Sequence, residues 1–159
     1  MPEDHLAAPA PLDAHRKLAI FAGEWRGDET VYPSRWNPGG SATSLVTARI
    51  DLNGLYLIQD TRQSRDGKES FATHGVFTYD REDRLYKLFW HDSLGYYPPS
   101  PASGGWSGKS LVLVRGSLRG NARHLYEVID DNSYSMKIQF SPDAEGWADV
   151  LTGVYRRIH

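Results

Sequence analysis

Cysteine is missing from all 159 residues, which excludes disulfides, thiolate zinc sites and a cysteine nucleophile. Long hydrophobic runs are missing as well. Leu111-Val112-Leu113-Val114 is far shorter than the roughly 20 apolar residues a membrane-crossing helix needs. Neither sign of charge dominates: the formal net charge is -2, and the basic residues are scattered, so no nucleic-acid footprint is expected. There is no His-x-His, no His-Glu-x-x-His, no Gly-x-Ser-x-Gly and no phosphate-cradling glycine pattern. The usual signatures of metal hydrolases, serine hydrolases and nucleotide binders are therefore lacking. What remains is an ordinary globular composition, 40% hydrophobic and 24% charged, with length for one domain and one buried core.

Residues 1–11 are acidic and rich in Pro and Ala, without a basic start or an apolar centre. They read as a flexible tail rather than a secretory signal, and a cytoplasmic protein is expected. Residues 12–159 read as a single domain. Leu12, His15, Leu18, Ala19, Phe21 and Ala22 recur at helical spacing, with Asp13 placed to cap this short helix and Gly23 placed to stop it. Everything after it reads as strand. Tyr134, Met136, Ile138 and Phe140 alternate with Ser135, Lys137, Gln139 and Ser141, a period of two. Further strands are expected near 24–32, 41–52, 55–63, 69–79, 84–92, 103–107, 110–117, 122–130 and 145–157, separated by turn chemistry such as Asn53-Gly54 and Asp66-Gly67. The expected fold is all-β: a roughly ten-stranded antiparallel up-and-down barrel with one short N-terminal helix.

Gly23-x-Trp25-x-Gly27, the Asn53-Gly54 turn, Gly75-x-x-x-Tyr79-Asp80 and Trp90-x-Asp92-Ser93 together resemble the DUF1579 family. That resemblance covers about residues 18–157 and implies a lipocalin-like, or calycin-like, barrel of unknown function. More distantly the chain is similar to the nitrobindin and fatty-acid-binding barrels, which hold haem or lipid. Family members usually carry an aliphatic residue where this chain has His91, and the family supplies no catalytic residues. In such barrels the tryptophan matching Trp25 plugs the closed end beneath the helix.

An up-and-down meander sorts the loops. Tight polar turns at 53–54, 80–83, 107–109 and 130–132 fall at the helix end. The long connections 33–40 and 93–102 fall at the other, beside 64–68, 118–121 and 142–146. Long loops over a rigid scaffold gather binding residues, so the mouth is expected there, with Trp36, Tyr96 and Tyr97 as lid residues. The same aromatics also suit rim packing or a homodimer contact. His74, His91 and His124 fall in the mouth-side half, where an imidazole can touch a ligand, ligate iron or move a proton.

Trp90 and Asp92 share one face of their strand. Asp92 is either a desolvated proton acceptor or the acceptor that stabilises the Ser93-Leu94-Gly95 turn. His91, Asp92 and Ser93 cannot form a triad, because adjacent strand residues point to opposite faces. Arg49 and Gln59 lie close together across the Asn53-Gly54 hairpin. Arg49 suits a ligand carboxylate, or alternatively a solvent-facing pairing with Asp60. Tyr126, Tyr134, Trp147 and Tyr155 sit where they can line the interior.

The expected function is binding of a small, mainly apolar molecule inside the barrel, with Trp36, Arg49, Gln59, His74, Trp90, His91, Asp92, Tyr96, Tyr97, His124 and Tyr126 as candidate ligand residues. Alternatives are an isomerase- or dehydratase-type enzyme using Asp92 or a histidine, a haem barrel with one histidine as axial ligand, or a filled barrel serving as an interaction module. No cofactor or metal is required by the sequence, and neither nucleic acid nor membrane is expected as a partner.

Overall fold

The computed structural model describes residues 8–35, 37–96 and 100–158. Most of the expected N-terminal tail lies outside them. Its last residues are tethered: the Ala10 carbonyl accepts from Arg81 at 2.8 Å and the Pro11 carbonyl from Arg16 at 2.8 Å.

Helix α1 (Asp13–Lys17) runs into a 3-10 turn at Leu18–Phe21. Asp13 is not its cap. Leu12 occupies that position, and its backbone N–H donates to His15 Nδ1 at 3.0 Å. Asp13 instead sits in the first turn and pairs with Arg16 at 2.8 Å. A reach-back from the third helical residue satisfies the end donor in place of the usual oxygen. Burial lowers the His15 pKa, with Arg81 adding to the effect, which keeps the ring neutral and able to accept. Gly23 then turns the chain into the first strand with φ 124, a value open to glycine and strained for other residues.

Ten strands follow: β1 (Gly23–Val31), β2 (Gly40–Asp51), β3 (Tyr56–Arg65), β4 (Lys68–Asp80), β5 (Leu85–Asp92), β6 (Ala102–Ser107), β7 (Ser110–Ser117), β8 (Gly120–Asp130), β9 (Ser133–Ser141) and β10 (Ala148–Arg157). Each pairs antiparallel with its sequence neighbour, and β1 also pairs with β10, so the sheet closes into a barrel. Closure leaves no edge strand to protect. The β2–β3 register, Arg49 opposite Ile58 and Ala48 opposite Gln59, is the one the Asn53-Gly54 turn implied. The last strand starts later than expected, at Ala148. Trp147 therefore precedes it and lies against the Arg123 guanidinium, 4.3 Å from carbon to ring centre, rather than lining the interior.

Side-chain alternation places Trp25, Val46, Leu57, Phe77, Leu88, Leu111, Leu113, Tyr126 and Tyr134 in one buried cluster. Leu18 and Phe21 enter it from the helix, closing that end. Trp25 is the joint. Its indole N–H donates to the Phe21 carbonyl at 3.0 Å, its ring meets Tyr134 edge-on at 4.8 Å, and Arg157 covers it at 4.1 Å. The outward positions include Arg26, Asp28, Asp60, Arg62, Lys87, Glu127, Lys137 and Arg156. Among the described residues no helix is long and apolar enough to cross a membrane.

Trp25→Ala removes the plug and orphans a carbonyl. The expected loss is about 3–5 kcal/mol of stability, read as a lower urea midpoint at unchanged slope. A loss below about 1 kcal/mol contradicts the role given to Trp25 here.

Candidate functional site

The parity set by Trp25 carries Gly27 and Glu29 inward with it. Glu29 is buried, and its carboxylate accepts from three strands at once. Ser44 Oγ and Tyr155 Oη both donate to it in short contacts, and Gln63 Nε2 donates at 3.0 Å. Ser70 Oγ in turn donates to Gln63 Oε1 at 3.0 Å, fixing which way that amide points. Tyr155 reaches Glu29 only because its ring lies over two glycines. A Cβ on Gly27 would sit 2.4 Å from Tyr155 Cε1, and one on Gly153 would sit 2.7 Å from the hydroxyl. Burial and the Glu29 charge raise the Tyr155 phenol well above its ordinary pKa, so it stays protonated and donating.

This network forms one wall of a chamber in the mouth-side half. Gln59, Thr61, Gln63 and Thr73 continue the polar wall, while Val46, Phe71, Trp90, Met136 and Leu151 supply the apolar one. Free space inside is only about 10 Å³, roughly one water. The closed-end half is apolar and aromatic, whereas the mouth half holds the buried polar groups Glu29, Ser44, Gln63, Thr73 and His124. Among the described residues Thr73 Oγ1 and His124 Nδ1 have no hydrogen-bond partner, and toward the helix Tyr126 Oη and Trp106 Nε1 have none either.

The candidate residues divide by parity. Gln59, Trp90, His124 and Tyr126 point inward. Trp90 lies 4.8 Å from the His124 ring, and Tyr126 packs against Phe77 at 5.4 Å between ring centres. Arg49, His74 and His91 are on the outer face. Arg49 pairs with Asp51 at 3.0 Å, and His74 Nδ1 meets Asp60 at 2.6 Å. His91 sits directly across the β4–β5 ladder from His74, with ring centres 6.4 Å apart. Thr73 and Trp90 face the interior, so their neighbours 74 and 91 must face out.

Asp92 stands at the rim. Its Oδ2 accepts from Trp90 Nε1 at 2.9 Å and its Oδ1 from the Leu94 N–H at 3.0 Å, which engages both oxygens in local structure. Tyr96 is exposed beneath the Arg119 guanidinium at 4.6 Å. Trp36 and Tyr97 lie outside the described residues.

Haem does not fit these residues. Of the strand histidines among the described residues only His124 faces inward, and Trp90 lies against its ring, so no imidazole is presented as an open axial ligand. Among the described residues no group of three metal-ligating side chains converges.

A family model described as a protein of unknown function, DUF1579, matches residues 10–157. The chain belongs to this family. Among solved structures, the Rv2717c protein of M. tuberculosis superposes on this DUF1579 chain with TM-score 0.70 at 15% identity, over 93% of this chain and 99% of that one. The S-type phycobiliprotein lyase CPES of Guillardia theta gives TM-score 0.60 at 13% identity, over 91% and 92%. At such identities the likeness is one of fold. No curated sequence matches the chain significantly.

Glu29, Ser44, Gln63 and Thr73 were not among the residues singled out from the DUF1579 chain's sequence. The signal for Glu29 was present: it follows Trp25 by four positions on one strand and so shares its face. Ser44, Gln63 and Thr73 carry no such mark, because small polar residues suit an outer face equally well.

Burial, with Arg115 nearby, lowers His124 to about 3 from 6.5. Between those values the unfolded chain binds a proton that the folded chain refuses. Stability is therefore full above about pH 6.5 and falls as pH drops toward 3. From pH 7 to pH 5 His124 is expected to remove about 2 kcal/mol, with His15 acting in the same direction. Urea denaturation of the wild type and His124→Gln at both pH values checks this. The variant should lose that share of the pH dependence, and identical dependences would exclude His124 as its source.

Proposed function

We propose that this DUF1579 chain is a binding barrel that takes a small, mainly apolar molecule with a polar end into the mouth-side chamber. The observation that supports this reading is the division of the interior. A barrel selected only for stability fills itself with aliphatic side chains. Here the helix-side half is apolar and aromatic, while the other buries a carboxylate network; among the described residues Thr73 Oγ1 and His124 Nδ1 in that half have no partner, nor do Tyr126 Oη and Trp106 Nε1 in the aromatic half. An orphaned buried polar group costs about 1–3 kcal/mol. Local rules broken in this way gather at functional sites.

Polar groups on one wall and apolar groups on the other suit a ligand that is oriented by a few hydrogen bonds and held by burial of its apolar body, at about 25 cal/mol per Å². The free space is far smaller than such a ligand, so entry requires Phe71, Trp90 and Met136 to swing aside. A phycobiliprotein lyase of the same fold supports ligand handling as a general capacity of the barrel, without lending its substrate.

Titration with the neutral apolar dye N-phenyl-1-naphthylamine tests the reading, alongside native mass spectrometry for a co-purifying molecule. Saturable one-to-one uptake by the wild type is expected, with at least about tenfold weaker uptake by Val46→Phe, which adds bulk to the chamber wall. Near-UV circular dichroism of that variant controls for its fold. No uptake by the wild type, or uptake indifferent to Val46→Phe, favours a filled barrel. Light scattering on the same sample reads the oligomeric state.

Thr73→Val is expected to raise stability by about 1 kcal/mol, because it removes the orphaned hydroxyl at nearly constant shape. A loss of stability in thermal or urea denaturation would show that the hydroxyl serves the fold.

A further inference from the structure

At the mouth end of β7, Arg115 has the interior parity of Leu111 and Leu113, and its side chain is half-buried. A guanidinium withdrawn from water normally has a carboxylate to meet it. Among the described residues Arg115 makes neither an ion pair nor a side-chain hydrogen bond. Burial lowers its pKa, the neighbouring Arg119 lowers it further, and Asp92 raises it.

Asp92 is thus close enough to be felt, but it is committed elsewhere. One of its oxygens holds the Trp90 indole N–H and the other the Leu94 N–H. His124, 3% exposed, stands two positions along the interior ladder with Nδ1 unpartnered, and the Arg115 charge disfavours its protonation. Arg119 lies over the exposed Tyr96 ring in the adjacent loop. Among the described residues, two cations without an ion-pair partner and a buried ring nitrogen without a hydrogen-bond partner therefore gather where the interior meets solvent, with the exposed apolar side chains Leu94 and Leu118 on the rim.

We propose that the mouth is an anion-recognition site, in which Arg115, assisted by Arg119, receives the carboxylate, sulfonate or phosphate of a ligand whose apolar body enters the barrel. This deepens the binding reading above and rests on it. A planar guanidinium that is already partly desolvated is suited to such a group. It donates paired hydrogen bonds, and its desolvation cost is already met in the free protein. Neutral His124 places no second charge beside it and can donate or accept according to its tautomer. The ligand class is then narrower than apolar: an anionic amphiphile.

Two dyes of closely related shape test this, neutral N-phenyl-1-naphthylamine and its anionic relative 8-anilinonaphthalene-1-sulfonate. They are titrated into the full chain at low and at physiological salt. The wild type is expected to bind the sulfonate at least about tenfold more tightly than the neutral dye, with a preference that shrinks as salt rises. Arg115→Met should erase the preference by weakening the sulfonate alone, and Arg115→Lys should keep part of it. Retained uptake of the neutral dye shows that the variant is folded.

Equal affinity of the wild type for both dyes overturns the anion site while leaving the binding barrel standing. So does a sulfonate affinity unchanged by Arg115→Met, or a drop common to both dyes. If the wild type takes up neither dye, the binding reading itself fails and the anion site falls with it.

Discussion

A carboxylate buried beside the seam of a closed barrel is the constraint on which the rest of this structure turns. Glu29 sits on β1, the strand that closes the sheet against β10. Its acceptors are met by Ser44 from β2, Gln63 from β3 and Tyr155 from β10. Four strands are thereby tied at one point, two of them across the closure. The arrangement admits little variation. Tyr155 can span the seam only where Gly27 and Gly153 leave room beneath its ring, and Gln63 presents its amide N–H only because Ser70 holds the other end. Charge-assisted bonds of this kind are among the stronger ones, and removing one donor leaves a charged acceptor short in a low-dielectric interior.

From that point the interior separates into two kinds of packing. Toward the helix, Tyr155 stacks on Tyr134 at 4.9 Å, Tyr134 meets Trp25 and Phe21 edge-on, and Phe21 stacks on Trp106 at 6.0 Å. This aromatic column carries the hydrophobic stabilisation and seals one end with the helix. Toward the long loops the column gives way to amides, hydroxyls and an imidazole, some without partners. The two halves differ in their energetics: one lowers the free energy of the fold by apolar burial, and the other, beyond the Glu29 network that ties the strands, carries the cost of the unpartnered Thr73 hydroxyl and His124 ring nitrogen.

Much of this was legible in the chain, and the physics of strands explains which part. Period-two alternation and turn chemistry located all ten strands, the β2–β3 register and the end at which the long loops gather. Alternation gives only relative faces, however, and an absolute face needs an anchor. Trp25 supplied one for β1, which is why Glu29 could have been read from it. On β4 the inward set includes Gly75 and Thr73, residues with no apolar bias, and on β5 the outward positions carry Leu85 and Phe89 against Leu88 and Trp90 within, so the outward direction of His74 and His91 emerged only with the register. Asp13 had the composition of a cap but lost the position to His15, whose ring nitrogen reached the same donor from within the helix. Trp147 had the composition of a lining residue but falls before its strand begins. Free volume was beyond sequence reading altogether, because it depends on how the lining side chains interlock across the barrel.

The commitment of Asp92 shapes the mouth most. By accepting from Trp90 Nε1 it orients the indole that lies against His124 and walls the chamber. By accepting from the Leu94 N–H it sets the first turn of the long β5–β6 connection. A carboxylate so engaged is poorly placed to form an ion pair as well, and Arg115 lies within its field without a contact that would quench the charge. With Arg119 nearby and His124 held neutral by burial, the Arg115 charge is not quenched by a contact among the described residues. Field lines from charges at a low-dielectric opening concentrate in the solvent at the entrance, where they act on an approaching molecule before any contact forms. The hydrogen bonds that build the rim are therefore the reason its charge is left uncompensated.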